Sequence, residues 1–404
     1  MITLQTKYRL TALSFFCYLL TGGLIVLTGM VIKPLAAYFN VEISVAGGVF
    51  KWMNLGMLVA IVCNSFLMDI IPLKRQIFIG TALIVIIFIG LIFVKNMFAF
   101  SILMFFFGLV AGIEMSIGTY LVACMYEGKT RGMMLLLTDS FFSLAGIAFP
   151  LIAGFMLDGG MSWSMLYVMV LISGIAVFLL SLGVPFPSPA EVQQIEKGQP
   201  IIQKFTREVK QWGSAVYLLF FGCMLYILGQ LCFVFWIPTY VEKNFAVSAE
   251  VAARPLSFFW IGMWIGLYLS SAIVKRFPMH IFVAIIAICT TVTFFMLRST
   301  PELSLLKYEC LLMGFFSSGI YYTLITLTSL QVPVPSPLLV NLALTSGTLG
   351  TFLTPVVTAK AVDAGGPAMA LTVGNLCYLL VFIVAVLVIF TTRHQQHERV
   401  TNNQ

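Results

Sequence analysis

Apolar residues run along this chain in continuous stretches of about twenty, separated by short polar segments. A stretch of that length matches an α-helix that crosses the roughly 30 Å hydrocarbon core of a bilayer. Membrane β-strands would instead alternate apolar and polar residues over about ten positions. The pattern therefore predicts twelve helical spans, over residues 10–32, 48–68, 77–94, 97–125, 133–157, 163–184, 213–236, 256–274, 281–297, 305–327, 338–362 and 368–390.

The longest polar interval, residues 185–212, divides the predicted spans into two sets of six. It predicts a first bundle over 1–184, a cytoplasmic linker over 185–212, and a second bundle with a short tail over 213–404. With the N-terminus inside, the inside segments hold 14 lysines and arginines and the outside segments hold 8. Because basic residues concentrate in cytoplasmic loops, we expect a multi-pass protein of the cell inner membrane with both termini in the cytoplasm.

Composition supports a lipid environment and excludes several function classes. The chain is 60% hydrophobic and 9% charged, with a mean hydropathy of +1.04, whereas soluble domains are about 25% charged. The net charge of +7 is explained by topology signals, so we expect no nucleic-acid partner. The eight cysteines and three histidines form no metal-ligand or disulfide spacing, and no nucleophile–base set is present. We therefore expect no metal, no cofactor and no enzymatic activity.

The second set of spans repeats features of the first at an offset of 205–206 residues. Gly56 matches Gly262, and Gly108 matches Gly314. Pro150 matches Pro355, and Lys74-Arg75 after the second span resembles Lys275-Arg276 after the eighth, at an offset of 201. Parallel repeats about an axis normal to the membrane are typical of transporters. The predicted fold class is an all-α membrane protein of two six-helix bundles related by a parallel internal repeat.

Two carboxylates lie inside the apolar runs. A charge in mid-bilayer costs at least about 2.5–3.5 kcal/mol on insertion scales, so such a residue points inward, pairs with a partner or stays protonated. Glu114 is accordingly the candidate for proton coupling, and we expect it to face the space between the halves. The competing interpretation is a protonated glutamate bonded to a neighbouring helix. Asp139 follows Arg131 by eight residues, and we interpret it as structural, either an ion pair or an inter-helix lock.

The segment after the second span, residues 65–75, reads SFLMDIIPLKR. It resembles the loop signature of the major facilitator superfamily, Gly-x-Leu-Ala-Asp-Arg-x-Gly-Arg-Lys. Leu67, Asp69 and Lys74 occupy matching positions, whereas both glycines and the first arginine of the signature are replaced. The resemblance implies a transporter, with structural or gating roles for Asp69, Lys74 and Arg75.

A closer resemblance, to one family within that superfamily, covers essentially the whole chain. The residues that carry it are MYEG at 125–128, TDSFFS at 138–143, YILGQL at 226–231, VPSP at 334–337 and LVN at 339–341. This resemblance implies an inner-membrane transporter and leaves the substrate undefined.

The superfamily resemblance also implies which helices surround the substrate, because helices 1, 4, 7 and 10 line its central cavity. The polar and aromatic side chains of these helices are the cavity candidates, with two asparagines from helices 2 and 11. Any one of them alone is more often a helix–helix contact than a ligand. They are Tyr18, Thr21, Asn54, Thr119, Tyr226, Gln230, Tyr321, Tyr322 and Asn341.

Helices 5 and 11 each carry a proline, and Pro150 with its neighbours weakly resembles the helix 5 motif of the superfamily. Phe149 stands where that motif has glycine, so antiport is not implied. We interpret Pro150, Pro355 and Arg131 as structural or gating residues. The sequence favours secondary active transport of a small solute by alternating access, coupled to protons. The alternative is a membrane sensor or scaffold that transports nothing.

Overall fold

A computed structural model of the chain describes residues 4–187, 201–210, 212–247, 249–332 and 336–401. Regular secondary structure within these ranges is helical, and none of them contains a strand. Twelve helices in this part of the chain are long and apolar enough to cross a membrane. The predicted all-α membrane fold is thereby confirmed, and each predicted span overlaps one of the twelve.

The first six spans are built from seven α-helices and one short 3₁₀ helix. The helix α2 is a single short turn that leads into α3, and the 3₁₀ helix Trp163–Tyr167 leads into α7. The bounds are α1 Leu4–Phe39, α2 Ile43–Gly48, α3 Phe50–Ile70, α4 Leu73–Phe93, α5 Met97–Met125, α6 Gly128–Asp158 and α7 Val168–Ser181.

The last six spans follow the short helix α8. One span is divided between α12 and α13, and α14 contains two spans that meet at Gly365 and Gly366, where the helical dihedral angles are interrupted. The bounds are α8 Ile201–Lys210, α9 Ser214–Phe245, α10 Ala249–Val274, α11 Met279–Ser299, α12 Leu303–Ser318, α13 Ile320–Ser329 and α14 Pro337–Thr401.

Local signals fix several helix ends. The side chain of Asn96 accepts a hydrogen bond of 2.8 Å from the backbone N–H of Ala99, which caps the start of α5. Asn40 and Ala246 end α1 and α9 in the left-handed conformation, with φ of 53° and 50°, a common helix terminator. Pro72 precedes α4, where its missing N–H is not needed.

Glycines bring α3 against α5, and α10 against α12. A methyl group at Gly108 would collide with the carbonyl oxygen of Met53, and one at Gly314 with that of Phe259. Glycine is required at both positions because a backbone atom lies where a Cβ would be. Met53 and Phe259 are 206 residues apart, as are the two glycines. The same helix contact is thus made once in each set of six spans, as the predicted repeat requires.

The chain separates into two compact units. The first comprises Met1–Tyr126, Thr138–Gln199 and Ser336–Leu342, and the second comprises Glu127–Leu137, Pro200–Pro335 and Ala343–Gln404. These units differ from the predicted bundles, 1–184 and 213–404, mainly by the exchange of two short segments. The start of α6 groups with the second unit, and the start of α14 groups with the first.

Candidate transport site

Glu114 lies in the middle of α5, and its side chain is 1% exposed. The carboxyl oxygen Oε2 accepts a hydrogen bond of 3.1 Å from the thiol of Cys17 in α1. On its other side, a Cβ at Gly80 in α4 would lie 3.2 Å from Oε1, so the missing side chain of Gly80 leaves room for the carboxyl group. Three helices of the first unit therefore enclose Glu114.

The enclosure of Glu114 has a chemical consequence. A thiol is a weak hydrogen-bond donor, and no cationic side chain of the described residues pairs with this carboxyl group. Separating a carboxylate from water without a cationic partner costs several kcal/mol. Ionisation of Glu114 therefore requires a rearrangement that admits water or a cation.

The predicted cavity residues of the first unit cross-link α1 and α5 beside Glu114. The hydroxyl groups of Tyr18 and Thr119 are hydrogen-bonded to each other. Thr21 donates to the carbonyl oxygens of Cys17, at 2.9 Å, and Ala111, at 3.2 Å. These three predicted residues are fully buried, so in this structure they pack between helices.

The predicted cavity residues of the second unit include a cluster of tyrosines. The rings of Tyr226 and Tyr321 are stacked, with centroids 5.7 Å apart and planes inclined by 18°. Tyr322 meets Tyr321 edge-on at 5.0 Å. The amide nitrogen of Gln230 lies 3.8 Å from the sulfur of Met263. All four predicted residues are buried, and the three tyrosines lie together in the structure.

The asparagines have different environments. Asn54 is exposed on α3. Asn341 is fully buried in α14, and among the described residues neither its amide nitrogen nor its amide oxygen has a hydrogen-bond partner. Asn64 in α3 has the same property, and no feature of the apolar run around it predicts a functional role. A buried amide without a partner costs free energy, so both side chains suit a water molecule or a polar group of a ligand.

Asp139 lies in α6 and is half-buried. The expected partner, Arg131, is engaged elsewhere: its guanidinium donates to the backbone carbonyl and the hydroxyl of Ser329 at the end of α13, at 3.2 and 3.1 Å. No hydrogen bond or ion pair to Asp139 is present among the described residues. The structure thus supplies no partner for the structural role that the sequence suggested for Asp139.

The signature-like loop between α3 and α4 is exposed, with Asp69, Lys74 and Arg75 at its surface. Asp69 and Lys74 line a cleft of about 360 Å³, which also includes Pro185 and Phe186 after α7. The predicted gating prolines, Pro150 and Pro355, lie within α6 and α14.

Basic side chains cap the C-terminal ends of three helices. Arg9 donates to the carbonyl oxygen of Leu182, at 2.8 Å, just after α7. Lys129 donates to the carbonyl oxygen of Arg276, at 3.3 Å, just after α10. Arg131 does the same for α13. The carbonyl groups at a helix C-terminus carry partial negative charge, so these cations satisfy groups that the helix leaves unpaired.

Replacing Arg131 with alanine is expected to lower the unfolding free energy by about 1.5–3 kcal/mol, because hydrogen bonds to a charged group contribute that much. Arg131 is buried and both bonds are lost. Arg75→Ala is the matched control, since Arg75 is exposed and surface changes usually stay within about 0.5 kcal/mol. The midpoint of thermal unfolding, followed by tryptophan fluorescence in detergent, measures the difference. Equal midpoints for the two variants would contradict the capping role.

Comparisons with known proteins agree on one family. The family model described as Major Facilitator Superfamily matches residues 14–355. A protein of Serratia proteamaculans named Protein TsgA homolog is 42% identical over 98% of this chain and 99% of its own length. The fucose:proton symporter FucP of E. coli superposes with a TM-score of 0.79 at 16% identity, covering 94% of this chain and 98% of FucP. The proton:xylose symporter XylE superposes with a TM-score of 0.75 at 14% identity, covering 94% and 95%.

Proposed function

We propose that this chain, which belongs to the major facilitator superfamily and within it to the TsgA family, is a secondary transporter that couples the movement of a small solute to protons. Proteins of this superfamily are transporters and in general not enzymes, and the chain is a multi-pass membrane protein. Proton coupling, the solute and the inner-membrane location are our proposals.

The observation that carries proton coupling is the setting of Glu114. Its carboxyl group is enclosed by α1, α4 and α5, accepts one hydrogen bond from a thiol and has no cationic partner among the described residues. Because the carboxyl group of Glu114 is enclosed, its charged form is disfavoured. A conformational change that admits water to this group would allow its proton to leave. A group that changes protonation when access changes links the proton to the conformational cycle. Glu114 is therefore our proton-coupling residue.

The structural neighbours support coupling as a class of mechanism. Both FucP and XylE are named as proton symporters. Their identity to this chain is too low to carry over a sugar substrate, so we assign none from them. A sensor or scaffold that transports nothing is not favoured, because two repeated six-span sets and an enclosed carboxyl group would then have no purpose.

The proposed orientation rests on the distribution of basic residues, with 14 of 22 on one side. We propose that this side is cytoplasmic. Reporter fusions after Gln199 and after Thr392 are both expected to give a cytoplasmic signal. A periplasmic signal from either fusion would contradict the six-plus-six topology.

A solute is needed to test transport directly. Purified protein can be screened for ligands that raise its thermal unfolding midpoint, because binding to the folded state stabilises it. The stabilising ligand is then offered to proteoliposomes with and without an imposed pH gradient. We expect the ligand to accumulate above its equilibrium level only when the pH gradient is imposed. Accumulation that ignores the gradient would contradict proton coupling, and absence of any uptake of a bound ligand would contradict transport.

A further inference from the structure

Asp139 lies on the side of α6 opposite its exposed apolar residues. On the same helix, Leu151, Ile152 and Phe155 are 61%, 45% and 79% exposed, and they mark the side of α6 that faces lipid. Successive helical residues are rotated by about 100°, so Asp139 lies roughly 170° around α6 from the mean direction of these side chains. Asp139 is therefore turned away from the side of α6 that faces lipid.

The side of α6 that carries Asp139 also carries a glycine. Gly146, two turns beyond Asp139, lies on the same side, and a Cβ there would meet its nearest atom, of Val26 in α1, at 3.8 Å. Asp139 is half-buried and makes no hydrogen bond or ion pair with the described residues. Glu114 is different, because its carboxyl group is enclosed and bonded to Cys17.

The charges at mid-depth of the described spans are all negative. Glu114 and Asp139 both lie 11 residues from the nearer end of their spans, Met97–Met125 and Gly128–Leu157. In all twelve described spans, no lysine, arginine or histidine lies more than six residues from a span end. At 1.5 Å per residue, the two carboxylates lie about 16 Å from the nearer span end, and the basic residues lie at most about 9 Å from it. An anionic solute would find no positive side chain there.

We propose that Asp139 binds a positively charged group of the transported solute, an ammonium or a guanidinium ion. A half-buried carboxylate that pairs with none of the described residues, in a region of low dielectric, attracts a cation strongly, and a cationic group forms charge-assisted hydrogen bonds with both oxygens. A metal cation fits less well, because it needs several ligands and no group of three histidine, cysteine, aspartate or glutamate residues in the described chain is arranged to hold one. The inference rests on the proposed transport function and names its substrate class.

Carbodiimide labelling of the wild-type protein in detergent tests the site. The carboxylate oxygen adds to the carbodiimide carbon to give an O-acylisourea, and glycinamide then displaces the urea to leave an amide. Peptide mass spectrometry gives the amidation rate at each acid. Asp363 is exposed and serves as the accessible reference. We expect amidation at Asp139 to be at least tenfold faster than at Glu114.

Competitors then test the charge of the ligand. Choline, tetraethylammonium and guanidinium are cations that do not act as nucleophiles here, and sodium gluconate and sodium phosphate are the anions, all at equal ionic strength. At least one of the cations is expected to slow amidation of Asp139 fivefold or more while Asp363 is unaffected. Lack of labelling at Asp139, lack of protection by all three cations, or protection by either anion would overturn the proposal.

A variant pair connects protection to binding. The cation that protects Asp139 is expected to raise the unfolding midpoint of the wild type and of Asp363→Asn, and to leave that of Asp139→Asn unchanged. Stabilisation of Asp139→Asn equal to that of the wild type would contradict the assignment. These readouts report binding alone. If no cation protects or stabilises the protein, the cation site at Asp139 is contradicted, and proton-coupled transport of a different solute is still possible. If a cation protects Asp139 but is never transported, the proposed function is contradicted, and the binding site is not.

Discussion

Replacing Glu114 with glutamine is expected to reduce proton-driven accumulation of the solute at least tenfold, to the level set by simple equilibration. Glutamine keeps the shape of the side chain and a hydrogen-bond acceptor for Cys17, but it cannot gain or lose a proton. Exchange of labelled for unlabelled solute needs no net proton movement, so it is expected to continue. Uptake and exchange are measured in parallel in proteoliposomes with and without a pH gradient.

The matched control for this variant is Glu302→Gln. Glu302 is exposed and precedes α12, so its neutralisation is expected to leave both accumulation and exchange as in the wild type. Accumulation by Glu114→Gln that matches the wild type, with the same dependence on pH, would remove Glu114 from the coupling mechanism. Loss of exchange together with accumulation would assign Glu114 to solute binding or packing.

Alanine at Gly108 or at Gly314 is expected to destabilise the protein by more than about 3 kcal/mol. Overpacking commonly costs about 1–3 kcal/mol when side chains can move, but here the added methyl meets a backbone carbonyl oxygen, of Met53 or of Phe259. The backbone cannot yield without separating α3 from α5, or α10 from α12. Because the two contacts are equivalent, the two variants are expected to behave alike.

Gly154→Ala is the control for the glycine variants. Gly154 lies in α6, and nothing lies within 4 Å of a Cβ placed there. Alanine is a better helix former than glycine by about 0.8–1.0 kcal/mol, so this variant is expected to be as stable as the wild type or more so. The yield of monodisperse protein and the unfolding midpoint measure all three. Wild-type stability of Gly108→Ala would contradict the close helix contact.

The architecture was predictable because it depends on the length and spacing of apolar runs. A helix must have a minimum length to cross a bilayer, so runs such as 97–125 correspond directly to α5. The internal repeat was also predictable, because glycines that permit close helix contact, such as Gly56 and Gly262, recur at an offset of 206 residues. These features follow from local composition and do not require knowledge of which side chains meet.

The partners of individual polar side chains were not predictable from the sequence. Transmembrane helices are apolar on every side, so hydropathy does not reveal which way Tyr18 or Thr21 points, and both proved to pack between α1 and α5. Arg131 lies close to Asp139 along the chain but binds Ser329, which is 198 residues away. Asn64 lies in an apolar run, and the sequence gives no signal that its amide group is buried. Each of these outcomes is decided by tertiary packing.

Proton flux measured directly tests the central claim best. Proteoliposomes in a weakly buffered medium, free of any imposed gradient, receive a pulse of the stabilising solute while a pH electrode records the external solution. Coupled transport predicts that the external pH begins to change when solute uptake begins, with a rise for symport and a fall for antiport. The change is expected to disappear when a protonophore is added and to be absent in Glu114→Gln. Solute uptake at the same rate with no change in external pH would contradict proton coupling.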